Sequence, residues 1–410
     1  MAVIRPFKAV RPLDKVAHLV ASVPYDVVNT EEAAQLAKGN PVSFLRVTRS
    51  EIELPQNIDH YSKEVYQKAK ENFERLKQEA PLIQDETSAI YIYKLVMGTQ
   101  EQVGLAATFS VDDYDNNVIL KHEKTRKVKE DDRTNHITTT GAQTGPVFLT
   151  YRGIEAVNNV VNDTMASVKP LYDFTAPDGV KHTIWMLPAE KTNLVVNEIA
   201  RIKNLYIADG HHRAASASRT RAAMKDANKN HKGDEEYNFF LAVLFPAEQL
   251  KILPYNRVVF DLKQTKEEFI AKAGKNFVIE ETNSPSPQLK KTFAMYIGGK
   301  WYSLKPNSNV KEGTTVGDKL DVSIFQNYLL TPVFGIEDPR TDSNIDFIGG
   351  IRGTAELEKL VDSGKASVAF SLYPVSLDDL MNISDAGEIM PPKSTWFEPK
   401  LRDGLLVHTV

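Results

Sequence analysis

Short apolar runs recur along the chain between turns rich in glycine and proline, and this pattern predicts β-strands. Such runs cover residues 43–48, 89–96, 104–111, 182–186, 205–208, 239–245, 256–262 and 366–372. Two further runs, 292–297 and 300–304, flank the pair Gly298-Gly299 and predict a hairpin. Residues 112–117, which are mostly Asp and Asn, predict a turn.

Other segments space their apolar residues three and four positions apart, as an amphipathic helix does. On this basis helices are predicted at residues 61–78, 151–168, 266–273, 322–330 and 355–361, and alanine content predicts another from position 211 onward. The chain shows no internal repeat, and the expected fold class is α/β with mixed α+β character. Glycine and proline at residues 141–146 predict a loop, which marks a weak domain boundary. Three regions are expected, either as domains or packed as one body, at residues 1–145, 146–262 and 263–410.

The densest chemistry in the chain is the run Asp209-Gly210-His211-His212-Arg213, at the predicted change from strand to helix. Free N–H groups and the positive end of the helix dipole make such a corner an anion site. Capping alone would explain Asp209, but it does not require two imidazoles and a guanidinium behind it. Arginine offers bidentate phosphate geometry and histidine a titratable donor. Adjacent histidines do not share a helix face, which argues against a bidentate metal site.

A charged block at residues 122–133 offers a second candidate. If this block is helical, His122, Arg126, Lys129 and Arg133 share one face. The segregation of cations favours an anionic ligand, whereas a solvated charged helix is the usual meaning of a charge run. From the residues alone both interpretations stay open.

Three further segments carry weaker signals. Residues 24–27 place an acid after a proline turn and by themselves indicate only a turn. The glycine-rich residues 345–353 have neither the Walker nor the dinucleotide form, and a turn that needs positive φ accounts for them better. Residues 390–400 hold three prolines and two aromatic residues and predict a packed loop, in which Lys393 and Lys400 either reach an anion or are solvated.

Composition narrows the class of protein. Of the 410 residues, 42% are hydrophobic and 25% charged, as in globular proteins. The formal net charge of −4 lacks the basic surplus of nucleic-acid-binding proteins, so no nucleic-acid partner is expected. The absence of cysteine excludes thiolate nucleophiles and cysteine-bound metals. No secretory signal and no apolar stretch of the ~18 residues needed for a membrane span is visible, so a cytoplasmic protein without a membrane partner is expected.

Taken together, these segments resemble a bacterial family known as domain-of-unknown-function family 1015 (DUF1015). The resemblance is carried, in order along nearly the whole chain, by residues 24–27, 43–47, 122–133, 209–213 and 392–395. The Asp-Gly-His-His-Arg run is also similar to the site of the ParB/sulfiredoxin superfamily, and more closely to its free serine kinases. In those proteins the strand–turn–helix corner binds nucleotide phosphates.

The resemblance implies a ParB/sulfiredoxin-like nucleotide-binding core at residues 146–262, with additional α+β regions on both sides. It implies a kinase that transfers a phosphoryl group from ATP or ADP, with Mg²⁺, to free L-serine and so makes O-phospho-L-serine for serine or cysteine metabolism. Sulfiredoxin chemistry needs a cysteine at this corner, and partition-type ParB proteins carry basic DNA-binding surface. This chain has neither feature.

The kinase hypothesis assigns roles to particular residues. Catalytic roles are expected for Asp209, Asp26 and His211, and Asp209 is also the expected Mg²⁺ ligand. Nucleotide contacts are expected from Gly210, His211, His212, Arg213, Arg126, Lys129 and Arg133. For the last three, the serine carboxylate is the alternative ligand. Two alternatives stay open: a nucleotide-binding regulatory protein without kinase activity, and a ParB-like nuclease or DNA-associated module. The oligomeric state is not predicted.

Overall fold

The computed structural model describes residues 1–78 and 82–410, which form two compact units. The first unit comprises Met1–Lys121, Thr125–Leu250 and Pro399–Val410, and the second comprises His122–Lys124 and Lys251–Glu398. These units divide the chain differently from the three regions that the sequence predicts. The fold class is mixed α/β, as predicted.

Strands account for the predicted apolar runs with few exceptions. Numbered in chain order, they are β1 (Ile4–Arg5), β2 (Val10–Pro12), β3 (Leu82–Gln84), β4 (Tyr91–Met97), β5 (Gln100–Ser110), β6 (Ile119–Leu120), β7 (Ala142–Gln143), β8 (Val147–Tyr151), β9 (Tyr172–Thr175), β10 (Lys181–Met186), β11 (Leu205–Asp209), β12 (Phe239–Pro246), β13 (Lys251–Leu253), β14 (Tyr255–Val259), β15 (Phe277–Glu281), β16 (Phe293–Ile297), β17 (Lys300–Pro306), β18 (Ile345–Gly349), β19 (Val368–Leu372), β20 (Trp396–Glu398) and β21 (His408–Thr409).

The helices alternate with these strands. They are α1 (Asp14–Val20), α2 (Thr30–Ala37), α3 (Leu45–Thr48), α4 (Lys63–Gln78), α5 (Val111–Asp115), α6 (Lys127–Thr140), α7 (Glu155–Ser167), α8 (Ala189–Ala200), α9 (His211–Ala227), α10 (Lys266–Ala273), α11 (Asp321–Phe325), α12 (Gly353–Asp362) and α13 (Leu377–Asp385). A π-helical segment, Gln326–Phe334, continues from α11. None of the helices in residues 1–78 and 82–410 combines the length and apolar character that crossing a lipid bilayer requires.

The first unit is built on one large mixed sheet in the order β6-β11-β8-β12-β5-β4-β10-β9, with β1 also paired to β5. Its central strands read as continuous apolar runs because both faces are covered. Helices α7 and α8 supply valine and isoleucine to this core, and α9 supplies Ala214 and Ala217. Because alanine is small, the backbone of α9 comes close to the sheet. The strand β11 and the helix α9 that follows it are therefore fixed by a packed core.

The second unit has its own antiparallel sheet in the order β15-β17-β16-β19-β14-β18. Helix α12 packs on this sheet through Leu357, which is fully buried in a cluster with Trp301 and Tyr296. The predicted hairpin is confirmed as β16 and β17, joined at Gly298-Gly299 with φ of +59° and +78°.

Most predicted elements are confirmed within a few residues, but the strand expected at residues 43–48 is wrong. This segment contains the short helix α3. Phe44, Leu45 and Val47 are all buried, so the run has no polar face to distinguish a helix from a strand. The predicted turn at residues 112–117 largely forms the short helix α5, which is capped by the Ser110 side chain.

Gly104 of β5 shows how tightly the first sheet is covered. A β-carbon there would lie 2.8 Å from the Phe245 ring and 2.8 Å from the Val243 side chain. We expect Gly104→Ala to lower the free energy of unfolding by about 1–3 kcal/mol, because overpacking displaces these side chains. Urea unfolding measures the change. The control Glu86→Ala, at an exposed position, is expected to shift it by less than about 0.5 kcal/mol; equal effects would contradict the packing argument.

Candidate functional site

The corner between β11 and α9 is shaped by two backbone irregularities. The pairing of β11 with β8 shifts register between Ile207 and Asp209, and such a bulge re-aims the side chain that follows it. Gly210 then takes φ +91°, a left-handed conformation that suits glycine. Helix α9 starts immediately afterwards at His211. The predicted strand–turn–helix corner is confirmed.

Asp209 lies between two cations. Its Oδ2 is 3.2 Å from Lys400 Nζ and 3.5 Å from Arg213 Nη2, and its Oδ1 accepts a hydrogen bond from the Gly210 N–H at 2.9 Å. Burial by itself would raise the pKa of Asp209, but the charges of Lys400 and Arg213 outweigh it and hold the pKa well below its usual range. His211 acts in the same direction. Asp209 is therefore an anion that two largely buried cations stabilise.

Arg213 ties the corner to its surroundings. Its guanidinium is 10% exposed and donates to the Pro146 carbonyl just before β8. Burial opposes its charge, but Asp26, Asp209 and Asp403 together raise the pKa of Arg213 above its usual value. Three carboxylates from distant parts of the chain thus act on one arginine.

Helices α6 and α9 begin side by side. His212 Nε2 accepts a hydrogen bond from the backbone N–H of Arg126 at 3.0 Å, and one turn later Ser216 Oγ donates to the Glu130 carbonyl at 3.1 Å. The two helices therefore run in the same direction with adjacent N-termini. Each N-terminus carries a partial positive charge and N–H groups without partners inside the helix, so this end attracts an anion more strongly than one helix would.

The predicted cationic face of four residues is wrong in its extent. Helix α6 starts at Lys127, so Arg126 is the residue before it and His122 lies outside it. His122 is buried in the second unit, with Nε2 3.3 Å from Thr395 Oγ1. Lys129 and Arg133 remain on one face of α6. The change of unit at residues 122–124, which belong to the second unit, separates His122 from the helix.

Lys129 and Arg133 both lie against tyrosines. Lys129 Nζ donates to the Tyr61 hydroxyl at 3.1 Å, and the Arg133 guanidinium stacks 4.0 Å above the Tyr25 ring. Arg133 also contacts Asp132 through Nε at 3.0 Å. Arg126, in contrast, is exposed beside the start of α9. Arg126 thus precedes α6, and Lys129 and Arg133 lie in its first half.

Asp26 follows the buried Tyr25 in a turn closed by the Val27 N–H on the Pro24 carbonyl at 3.2 Å. Its own side chain is exposed. Asp26 is close enough to Arg213 to be the largest attractive influence on the pKa of that arginine. The structure therefore brings Asp26, which the sequence suggested only through a turn, to the same arginine as Asp209.

Lys400 and Asp403 complete the site from the C-terminal segment. For Lys400 the sequence left two roles open, contact with an anion or exposure to solvent. For Asp403 it gave no signal. The backbones of Asp403 and Ser22 exchange N–H···O=C bonds of 2.9 and 3.1 Å. Glycine at position 145 lets the C-terminal segment approach closely, because a β-carbon there would lie 2.4 Å from Asp403 Oδ1. Lys400 and Asp403 are far from the corner in sequence and reach it only through the fold.

Asp403 is a buried acid, 2% exposed, whose Oδ1 has no hydrogen-bond partner among the described residues. Burial raises the pKa of Asp403 to about 7, and Asp26 adds to this effect, whereas Arg213 and Arg133 oppose it. The site therefore contains a carboxyl that changes charge near neutral pH.

The other candidate motifs lie mostly in the second unit. Gly349 and Gly350 pack against Trp396 and Pro254, where β-carbons would come within 2.9 and 2.5 Å, so close packing accounts for these glycines. The Lys393 carbonyl accepts from Arg257 Nη2 at 3.1 Å. Of these two motifs, only Pro399 and Lys400 are in the unit that holds Asp209.

If Asp209 binds a metal ion, the metal competes with the partners that Asp209 already has. In the part of the chain that the structure describes, no three His, Asp or Glu side chains form a group that could hold a metal ion. Both Asp209 oxygens have partners, so Mg²⁺ could bind there only if Lys400 moved away. The magnesium role of Asp209 stays a prediction.

Comparison with known proteins gives a family and several structural neighbours. The sequence model of the family described as "Protein of unknown function (DUF1015)" matches residues 4–323. No curated protein matches the chain.

Among solved structures, a free serine kinase in complex with AMP is 12% identical, with 72% of this chain and 91% of that chain covered and a TM-score of 0.37. A conserved hypothetical protein from Pyrococcus furiosus is 14% identical, with 73% and 94% covered and a TM-score of 0.36. SbnI from Staphylococcus aureus, with a C-terminal truncation, is 12% identical, with 73% and 85% covered and a TM-score of 0.38.

The raised pKa of Asp403 predicts a pH-dependent stability. A carboxyl with a folded pKa of about 7, compared with about 3.9 when unfolded, stabilises the fold fully below pH ~4. That contribution declines as the pH rises and is lost above about 7. We expect wild type to lose on the order of 2 kcal/mol relative to Asp403→Asn between pH 5 and pH 8, measured by urea unfolding of both proteins.

Comparing the two proteins at each pH cancels the titration of other groups, including His136, whose pKa burial lowers to about 4. A constant difference between wild type and Asp403→Asn over this range would contradict the raised pKa.

Proposed function

We propose that this chain, which belongs to the DUF1015 family, is a small-molecule kinase that transfers a phosphoryl group from ATP or ADP to the hydroxyl of free L-serine. The observation that carries the proposal is the convergence at one corner of two helix N-termini with Arg213 and Lys400. Serine as the acceptor rests on the similarity of residues 209–213 to the motif of free serine kinases.

In this proposal the nucleotide phosphates bind at the paired starts of α6 and α9. Backbone N–H groups from Gly210 to His212 and the exposed side chain of Arg126 contact the phosphates, with the Gly210 N–H giving up its bond to Asp209 Oδ1. Arg213 and Lys400, which both form ion pairs with Asp209, neutralise the charge of the transferred group. Phosphoryl transfer depends mainly on such positioning and charge neutralisation.

The reaction needs one proton acceptor. The serine hydroxyl oxygen forms a bond to the terminal phosphorus while the bond from that phosphorus to the bridging oxygen breaks, and the shortened nucleotide leaves with that oxygen. We assign Asp26 to accept the hydroxyl proton, because it is an exposed carboxylate that acts on Arg213. A carboxylate suffices as base, since a loose transition state requires little proton removal before phosphorus transfer.

Asp209 has a different part in this scheme. Its ion pairs with Lys400 and Arg213 hold both cations at the corner before a phosphate arrives. When the phosphate binds, Lys400 exchanges part of its contact with Asp209 for the transferred group, and Asp209 becomes available to orient the serine hydroxyl. His211, buried beside Asp209, stabilises the carboxylate during this exchange.

The proposal predicts a product that can be detected directly. Purified protein incubated with L-serine and Mg-ATP or Mg-ADP is expected to form phosphoserine, measured by mass spectrometry beside an active control kinase. Nucleotide binding without phosphoserine would contradict the kinase and favour the regulatory alternative. Affinity for DNA that falls steeply with salt would instead favour the nuclease alternative.

Replacing the proposed base tests the mechanism. We expect Asp26→Asn to lower kcat by about 10²–10⁴-fold, the usual contribution of a general base, while nucleotide binding is kept or strengthened because a negative charge near Arg213 is removed. Steady-state kinetics measure both effects. Asp226→Asn, exposed near the far end of α9, is the matched control and should retain wild-type kcat. Wild-type kcat in Asp26→Asn would exclude Asp26 as the base.

A further inference from the structure

A small cavity of about 40 Å³ lies in the first unit behind Tyr25. We call it the Tyr25 cavity and define it by Tyr25, Arg49, Glu51, Lys129, Asp132 and Arg133, which line it. Asp26, the proposed base, directly follows the tyrosine that forms one wall. The cavity therefore shares Tyr25 with the turn that carries Asp26.

The walls of the Tyr25 cavity carry both signs of charge. Arg49 Nε lies 2.8 Å from Glu51 Oε1, and Arg133 Nη2 lies 2.9 Å from Asp132 Oδ2. The Glu51 and Asp132 side chains are only 6% and 7% exposed. Burying charges is costly even when they are paired, so two such pairs around one small space call for a functional explanation.

Not every donor around the cavity is satisfied. Arg49 Nε is buried and lies 2.8 Å from Glu51 Oε1, but the angle between them does not meet hydrogen-bond geometry. Its Nη1 and Nη2 donate to the Tyr25 carbonyl at 3.3 Å and to Thr30 Oγ1 at 2.9 Å. A buried donor with such poor geometry calls for an explanation, and a bound ligand would supply one.

Lys129 lines the cavity and makes a contact that a ligand can replace. Its Nζ donates to the Tyr61 hydroxyl at 3.1 Å and lies 5.4 Å from the centre of that ring. A neutral hydroxyl is a weak competitor for an ammonium, so an anion entering here would take this contact. His136 adds no charge at neutral pH, because burial lowers its pKa to about 4.

We propose that the Tyr25 cavity is the acceptor subsite and binds the charged head of a small α-amino acid. Glu51 and Asp132 receive the ammonium group, and Lys129 and Arg49 receive the carboxylate. A zwitterion fits walls of both signs without leaving a net charge buried. The cavity volume of about 40 Å³ limits the acceptor to small side chains, because each water molecule in such a space already needs about 10–15 Å³.

This inference rests on the proposed function and changes one part of it. The sequence left Lys129 and Arg133 as ligands of either the nucleotide phosphate or the serine carboxylate, whereas the cavity assigns Lys129 to the carboxylate of the acceptor and uses Arg133 to hold Asp132. The acceptor hydroxyl then points past Tyr25 towards Asp26.

The test compares Lys129→Gln and Glu51→Gln with the control Lys127→Gln. Lys127 is on the same helix, its side chain is 82% exposed and it contacts only Asp131 among the described residues. We expect the first two variants to raise the KM for L-serine, and the dissociation constant of L-serine in calorimetry, at least tenfold, with the KM for nucleotide within twofold of wild type. The control should match wild type in both.

Ligand analogues test each half of the subsite in the wild-type protein. Ethanolamine lacks the carboxylate and 3-hydroxypropanoate lacks the ammonium, so each is expected to bind at least tenfold more weakly than L-serine. Equal binding of L-serine and either analogue would overturn the two-sided subsite. Circular dichroism checks folding, and if Glu51→Gln does not fold, Lys129→Gln decides.

The outcomes separate this inference from the kinase proposal. If phosphoserine forms but Lys129→Gln raises the nucleotide KM and leaves the serine KM unchanged, the cavity is not the acceptor subsite. If L-serine binds and the variants weaken it but no phosphoserine forms, the subsite stands and the kinase proposal fails. Failure of wild type to bind L-serine at millimolar concentration would overturn the subsite whatever the nucleotide does.

Discussion

The site depends on the charge balance around one partly buried carboxylate. Asp209, whose side chain is 29% exposed, is stabilised as an anion by Lys400 and Arg213, and His211 acts in the same direction. Its position is set by the bulge at the end of β11 and by the left-handed Gly210. Arg213 in turn contacts the loop before β8 and responds to Asp26 and Asp403. The two ion pairs of Asp209 therefore link β11, α9 and the C-terminal segment.

The sequence predicts the local part of this arrangement well. The apolar run of β11, the turn at Asp209-Gly210 and the alanines of α9 are encoded within neighbouring residues, so the corner could be found from them. Lys400 could not be placed, because its contact with Asp209 joins positions 191 residues apart. Asp403 carries no local signal at all.

The wrong predictions have the same physical origin. Residues 43–48 form a short buried helix in which both faces are apolar, so periodicity cannot separate helix from strand. The cationic face assumed a helix through residue 122, but α6 begins only at Lys127, where His212 contacts the backbone of Arg126. In both cases tertiary contacts decide what local pattern leaves open.

The second unit interrupts the first, since Lys251–Glu398 stands between Leu250 and Pro399. During synthesis β11, α6 and α9 therefore leave the ribosome well before Lys400 and Asp403. Until then Asp209 lacks one of its two cations and Ser22 lacks its backbone partner. The first unit therefore has to wait for the whole second unit to be translated before its charged centre can close.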